Sequence, residues 1–367
     1  MISRSKVLVS LLTLGSLGGL LGTAAWWIRR DPTPSTAMES VVSYWEKWSE
    51  DVVRERVRSH LRTTDKPHGD LLQGAAETLG GVFAIELYER AVQQEPQCPQ
   101  FRMGLVRSLC ASSIETTEVM LTATSIRTRD PMEENLHRII KELRTIQELE
   151  PDNACVDYLV AFLGLSYLEG SMPQVLADLE TAKQKTRFDD YSLDAARNRA
   201  ELLFATGFPR MEAQFAVLQG SANPLREVWS KLGERLEGAG QRFLLEEDLL
   251  NAERAFQHQL LLGGHLASMR GWLQENLAGL IMKRNGARGL KDVFKTLGEK
   301  DKMEALDAVE TEALSLHSQH QSFQWWRGRR RLEVLTSDEF SRYLNLFLKQ
   351  GAMEANTFLL LRQRIES

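Results

Sequence analysis

The distribution of proline is the feature of this sequence that most restricts its fold. All ten prolines lie at or before Pro224, and the 143 residues that follow contain none. Leu, Ala, Glu, Gln and Arg dominate that stretch, and these residues favour helices that no proline interrupts. Alternating apolar and polar runs of Val, Ile and Thr, which would predict strands, are nearly absent. The sequence therefore predicts an all-α protein.

Local signals divide the chain into helices of about 12 to 20 residues joined by short loops. Capping residues predict helix starts at Thr36 with Glu39, Asp130-Pro131 with Glu133, Ser171 with Gln174, Asn223-Pro224, and Thr336 with Glu339. Glycines predict helix ends at Gly170, Gly207, Gly220, the pair Gly263 and Gly264, Gly298, and Gly351. Such elements predict stacked antiparallel helix pairs, with room for about fifteen helices.

The first helix after the N-terminal region is predicted to begin at Thr36 and to continue to about Leu61. Trp45 and Trp48 lie on its apolar face at helical spacing. We therefore interpret both tryptophans as core residues that dock this helix on its neighbour, rather than as a ligand site.

An uncharged segment near the N-terminus predicts a membrane-spanning helix. Residues 7–28 contain no charged side chain, and as a helix they extend about 33 Å, enough to cross a bilayer core. Two basic residues flank the segment on each side, and two tryptophans stand at its C-terminal end. The alternative is a cleaved signal peptide, because Thr23, Ala24 and Ala25 are small. Cleavage there would leave Trp26 at the mature N-terminus.

Four glycines inside this segment form two overlapping GxxxG pairs, Gly15 with Gly19 and Gly18 with Gly22. Such pairs let helices pack closely in a bilayer, so they predict association between copies of the chain. The alternative is that glycine is simply frequent in membrane helices.

The positive charges on the two sides of the uncharged segment nearly balance. The short basic tail favours a cytoplasmic N-terminus, and so an extracytoplasmic body.

Charge and cysteine content exclude several classes of protein. The chain has 45 basic and 50 acidic residues, and its formal charge of -5 becomes -9 without the first 30 residues. This balance gives no drive toward nucleic acid, so no nucleic-acid partner is expected. Cys98, Cys110 and Cys155 show no CxxC spacing. They predict neither a disulfide framework nor a zinc site, and we interpret them as buried apolar residues.

Candidate catalytic and metal-binding residues are few. His317 and His320 share a helix face but have no third ligand near them in sequence, so we interpret them as a solvated or capping pair. His258 and His265 give still weaker evidence of a metal site. Adjacent acids are interpreted as solvated or helix-start charges at Glu133-Glu134, Asp189-Asp190 and Glu246-Glu247-Asp248. No P-loop, GxGxxG, GxSxG or HExxH motif occurs. No catalytic residue, metal or cofactor is predicted.

Two stretches carry a repeated pattern. Small, aromatic, small and proline positions follow one another at Ala84, Tyr88, Ala91 and Pro96. The ending recurs at Leu143, Ile146 and Pro151, followed by a first helix with Tyr158, Leu159, Ala161 and Gly170, and by facing residues Leu176, Leu179 and Ala182. Ala252 with Phe256 matches the pattern more weakly. On these residues the region from about Leu71 to Arg187 resembles tetratricopeptide-repeat proteins.

The resemblance has two departures. Pro96 and Pro151 are 55 residues apart rather than one repeat of about 34, and Leu143 replaces the aromatic residue. Divergent repeats and another α-solenoid both stay open. With one N-terminal span, the layout resembles bacterial single-pass envelope proteins that display such repeats to assemble other proteins, which implies a non-catalytic protein-binding scaffold. The alternative is an all-helical enzyme whose carboxylates converge only in three dimensions.

The predicted organisation has four parts: an anchor at residues 1–30, a linker and first amphipathic helix at 31–66, repeats at 67–222, and a helical region at 223–367.

A cluster of tryptophan and arginine is the most unusual local feature. It comprises Trp325, Trp326, Arg327, Arg329, Arg330 and Arg331. Arginine forks bind phosphate or carboxylate, and indoles stack or enter interfaces. An anionic lipid surface, an acidic protein partner and nucleic acid are the competing uses, and the anchor favours the first two. The alternative is a core tryptophan with arginines that are solvated or bridge acidic neighbours.

Overall fold

The computed structural model describes residues 37–122, 129–168, 170–220, 223–321, 332 and 335–366. Within these ranges the chain forms 16 α-helices and one 3-10 helix, and no strand. The prediction of an all-α protein is therefore confirmed. The predicted membrane span lies outside the described residues. Among the helices that are described, none combines the length and apolar character needed to cross a bilayer.

The helices are numbered in chain order. They are α1 (Ala37–Trp45), α2 (Glu50–Thr63), α3 (Gly69–Leu79), α4 (Gly81–Gln94), α5 (Pro99–Thr122), α6 (Arg129–Leu149), α7 (Ala154–Tyr167), α8 (Met172–Asp178), α9 (Ser192–Ala205), α10 (Arg210–Gly220), α11 (Leu225–Leu245), α12 (Leu249–Ser268), α13 (Leu273–Leu297), α14 (Lys300–Gln321), α15 (Ser337–Gln350) and α16 (Ala352–Glu366). The 3-10 helix, Leu179–Gln184, follows α8 directly.

Helices that are consecutive in the chain pack as neighbours. Helix α3 packs on α4, α5 on α6, and α11 through α14 each on the next. Short loops between packed consecutive helices make the pairs run in opposite directions. This arrangement is compatible with helical repeats.

The residues of the repeat pattern are buried. Ala84, Tyr88 and Ala91 on α4 are each at most 6 % exposed. The Tyr88 ring lies against Gly104 of α5, where an added Cβ would overlap it. The ring thus fills a groove that only glycine leaves open. The wide spacing of the two prolines has a simple cause, because α5 and α6 between them have 24 and 21 residues.

Helix α9 packs on α3, although other helices separate the two in the chain. The fold is therefore not a simple series of pairs of consecutive helices. At Gly74 of α3, an added Cβ would lie 2.5 Å from the carbonyl oxygen of Asn198. Leu202 and Leu203 of α9 belong to the larger core, which contains residues of α3 to α8. Other α9 residues belong to a second core shared with α1, α10, α15 and α16. Helix α9 therefore connects both cores.

The single helix predicted from Thr36 to Leu61 is divided in two, so that prediction was wrong in its middle. Helix α1 ends at Trp45, and Ser49 caps α2 by accepting a hydrogen bond from the backbone N–H of Val52 at 3.4 Å. The break lets both tryptophan rings pack on Phe208, with centroids 4.8 Å away for Trp45 and 5.5 Å for Trp48. Both rings are half-buried and pack against the larger core, which agrees with the predicted docking role.

The helix end predicted at Gly263 and Gly264 was also wrong, because both residues lie inside α12. Gly263 faces the backbone of α13, where an added Cβ would lie 2.7 Å from the carbonyl oxygen of Gly279. The glycine therefore serves close helix packing rather than a turn. Gly298 and Gly351 do end helices, with φ angles of 74° and 92°.

Candidate binding cleft between the helix pairs

Most of the residues that the sequence singles out as a site lie outside the described part of the chain. This holds for Gly15, Gly18, Gly19 and Gly22, and for the cluster from Trp325 to Arg331. Their predicted roles stay predictions.

The cysteines and histidines can be placed. Cys110 and Cys155 are buried as predicted, Cys98 is half-buried, and all three thiols are free. His317 is half-buried and His320 is only 3 % exposed, so His320 is not solvated, and the capping interpretation stays a prediction. Where the structure describes the chain, no three His, Cys, Asp or Glu side chains come together as a metal site.

A small cleft opens where α3, α5 and α9 meet the starts of α11 and α13. Its lining residues are Glu77, Arg107, Ser192, Ala196, Arg199, Asn223, Pro224 and Trp272. The enclosed space holds about one or two water molecules. The cleft thus gathers charged and polar side chains from five separate helices or their starts around a small volume.

Arg107 forms the buried floor of the cleft. Its side chain is 4 % exposed and pairs with Glu77 Oε1 at 2.9 Å. It also donates to the carbonyl oxygen of Asp190 at 2.5 Å and to the Tyr88 hydroxyl at 3.4 Å. Burial lowers the pKa of Arg107, but Glu77 and the other partners outweigh burial and raise it. Arg107 is therefore a fully occupied, charged anchor between α5, α3 and the segment before α9.

Behind the lining, two acidic side chains converge on Asn223. Asp190, 2 % exposed, accepts a hydrogen bond from Asn223 Nδ2 at 2.5 Å and one from the backbone N–H of Ser192 at 3.0 Å. Glu275 is also 2 % exposed. Burial, reinforced by Asp190, raises the pKa of Glu275 to about 8, although Asn223 opposes this shift. The raised pKa favours the protonated form of Glu275.

Asp190 is buried rather than solvated, whereas the interpretation as helix-start charges agrees with the structure, because Asp189 and Asp190 accept hydrogen bonds from the backbone N–H groups of Tyr191 and Ser192 at the start of α9. Tyr191, the next residue, has a positive φ of 56°, and the turn directs the two carboxyl groups to different partners. Asp189 contacts Arg187 and Arg270 at 3.5 Å, whereas Asp190 points to Asn223.

Two donors that line the cleft lack partners. The Nε of Arg199 and the hydroxyl oxygen of Ser192 are both buried, and neither has a hydrogen-bond partner. Burial lowers the pKa of Arg199, while Glu77 and Glu50 oppose this.

Sequence reasoning missed the members of this cleft. One signal was present: Arg107 interrupts the apolar run MGLVRSLC of a predicted helix, and an arginine on a core-facing position needs a buried acceptor. Arg199 and Glu275 carry no comparable signal, because their surroundings come from distant parts of the chain.

A second buried group lies elsewhere. His258 is 0 % exposed, and its Nε2 lies 3.7 Å from Glu180 Oε1, too far for a hydrogen bond. Burial lowers its pKa to about 4. This histidine is a neutral core residue at neutral pH.

Comparison with protein-family models, with curated proteins and with solved structures finds no match to this chain. The function is therefore proposed from the fold and from the geometry of the cleft.

Proposed function

We propose that this protein is a single-pass membrane protein whose helical body binds other proteins at a bacterial cell envelope, without catalysis of its own. The uncharged residues 7–28 and their basic flanks support the anchor. The short basic N-terminal tail favours an extracytoplasmic body. Pairing between copies through the GxxxG glycines belongs to the same proposal.

The observation that carries the proposal is the packing of consecutive helices into neighbouring pairs. Stacked pairs form extended surfaces that can hold a peptide or a helix of a partner. Tetratricopeptide-like repeats are the finer form of this proposal, supported by the burial of Ala84, Tyr88 and Ala91 and of their later counterparts Leu143 and Ile146.

An all-helical enzyme is the second candidate, and the convergence of Asp190 and Glu275 near the cleft is the observation in its favour. The small volume of the cleft favours the scaffold over the enzyme. Pockets that bind metabolites commonly enclose about 300–1,000 Å³, whereas this cleft has room for about one or two water molecules.

Crosslinking in intact membranes tests the proposal. A photoreactive residue is placed at Phe83 or Leu250, which are 51 % and 60 % exposed, and crosslinked products are identified by mass spectrometry. The scaffold predicts that one defined protein set is captured from either position. The buried position Leu143 is the control and should capture none. Crosslinks to lipid alone, or the same products from Leu143, would contradict the scaffold.

A further inference from the structure

The cleft contains two hydrogen-bond donors that nothing in the fold uses. Ser192 is 8 % exposed, and its hydroxyl oxygen has no partner. Arg199 is half-buried, its Nε is fully buried, and its guanidinium makes no hydrogen bond to any described residue. A buried polar group without a partner is unfavourable, so such groups in a native fold call for an explanation such as a ligand or a water molecule.

Two further polar side chains of the cleft, Glu77 and Asn223, are already occupied. Glu77 accepts from Arg107 and from the Tyr88 hydroxyl. Asn223 donates its Nδ2 to Asp190 and accepts from the backbone N–H of Leu225 at 3.1 Å. An occupant therefore meets Arg199 and Ser192 as free donors, and it must accept hydrogen bonds.

The charge of the surroundings restricts the occupant further. Arg107 is neutralised by Glu77 at 2.9 Å, and Arg54 of α2 is neutralised by Glu50 at 2.7 Å. Arg199 also lines the cleft, and its charged form is favoured only by the nearby carboxylates of Glu77 and Glu50, with which it forms no close ion pair. A single negative charge beside Arg199 gains this attraction, whereas a second would add repulsion from Glu77 and Asp190.

We propose that the cleft binds one carboxylate group, which accepts hydrogen bonds from the Arg199 guanidinium and the Ser192 hydroxyl. A planar carboxylate matches the guanidinium fork, and such charge-assisted bonds are the stronger kind. A carboxylate is also close in size to two water molecules, whereas a phosphate ester is larger and carries more charge. This inference does not depend on the membrane anchor or on a scaffold role.

Thermal unfolding of the full chain in detergent tests the proposal. Tm is measured at pH 7 in rising sodium acetate, with sodium chloride at equal ionic strength as the reference. A bound carboxylate predicts a rise of a few degrees that saturates with acetate, whereas a general salt effect does not saturate. The rise should be lost in Arg199→Met and in Ser192→Ala.

Arg197→Met is the matched control. Arg197 lies two residues before Arg199 on α9, is exposed, and pairs with Asp194 outside the cleft. This variant should keep the acetate effect. The proposal is overturned if acetate and chloride act alike, or if the acetate effect persists in both cleft variants. Ser192→Ala keeps the test decisive should Arg199→Met fail to fold.

Two peptides distinguish the source of the carboxylate. Acetyl-Gly-Asp-Gly-amide carries one side-chain carboxylate, and acetyl-Gly-Asn-Gly-amide carries none. Stabilisation by the Asp peptide but not the Asn peptide assigns the cleft to an acidic side chain of a protein partner. Stabilisation by acetate alone assigns it to a small free carboxylate. Stabilisation by neither acetate nor peptide leaves water as the occupant and overturns the proposal.

Discussion

At the scale of single residues, burial changes the chemistry of Glu275 more than its sequence neighbours suggest. Its carboxyl group accepts a hydrogen bond from the backbone N–H of Trp272 at 3.0 Å, at the start of α13. Capping of this kind favours the charged form. Burial and the nearby Asp190 outweigh it, and the pKa of Glu275 is raised to about 8.

The raised pKa predicts a loss of stability as the pH rises. Between pH 4.5 and about 8 the folded chain holds a proton on Glu275 that the unfolded chain releases. This contribution is full below pH 4.5 and is lost as the pH rises to about 8, by an amount on the order of 4 kcal/mol. We expect Glu275→Gln to gain stability relative to wild type over this range. Urea unfolding at pH 5, 7 and 9 measures the difference, and parallel curves for the two chains would disprove the account.

Single residues of the core could be predicted where a local sequence pattern determines which face of a helix they occupy. The positions of Tyr88 and Ala91 follow from helical spacing and are buried. Arg107 could not be placed, because its acceptor on Asp190 is 83 residues away in the chain. A contact of that range depends on how the helices are stacked, and no local pattern encodes it.

At the scale of elements, the crossing of α12 and α13 depends on glycine. We expect Gly263→Ala to destabilise the protein by about 1–3 kcal/mol, because its Cβ would overlap the backbone of Lys283. Gly264→Ala is the matched control. Nothing lies within 4 Å of its added Cβ, so the helix-favouring alanine should stabilise by roughly 0.5–1 kcal/mol. Chemical denaturation measures both, and equal effects would show that the crossing is not tight.

The arginine cluster carries a prediction of its own. Replacing Arg329, Arg330 and Arg331 with Glu reverses three charges, so binding to an acidic partner or an anionic vesicle should be abolished. The same three positions changed to Lys keep the charge and should keep most of the binding. Vesicle flotation and partner pull-down measure these effects. Unchanged binding by the Glu variant would rule out this role.

Helix boundaries could be predicted where capping is local. Thr336 and Glu339 form the capping box at the start of α15 as predicted. Two local signals were misleading. Gly263 and Gly264 resemble a helix end, but both lie inside α12 and Gly263 serves helix packing. The helix predicted across Trp48 is interrupted because Ser49 caps a new helix.

At the scale of the whole molecule, the all-α class could be predicted from the sequence, whereas the packing of α9 on α3 could not. Composition and the absence of strand patterns decide the class. The contact of α9 with α3 rests on one close approach at Gly74 and on Asn198, which donates to Asp70 at 2.8 Å and to Gln73 at 2.7 Å. These polar contacts join residues 128 and 125 positions apart in the chain, so local periodicity does not predict them.

Alkaline extraction of membranes that contain the full chain tests the central proposal, an anchored helical body, most directly. We predict that the wild-type chain stays in the membrane pellet. Leu14→Arg with Leu17→Arg should move it to the supernatant, because two charges at the centre of the span are costly. The same two positions changed to Ile are the control and should stay in the pellet. Wild-type chain in the supernatant, with Trp26 as its first residue, would contradict the anchor.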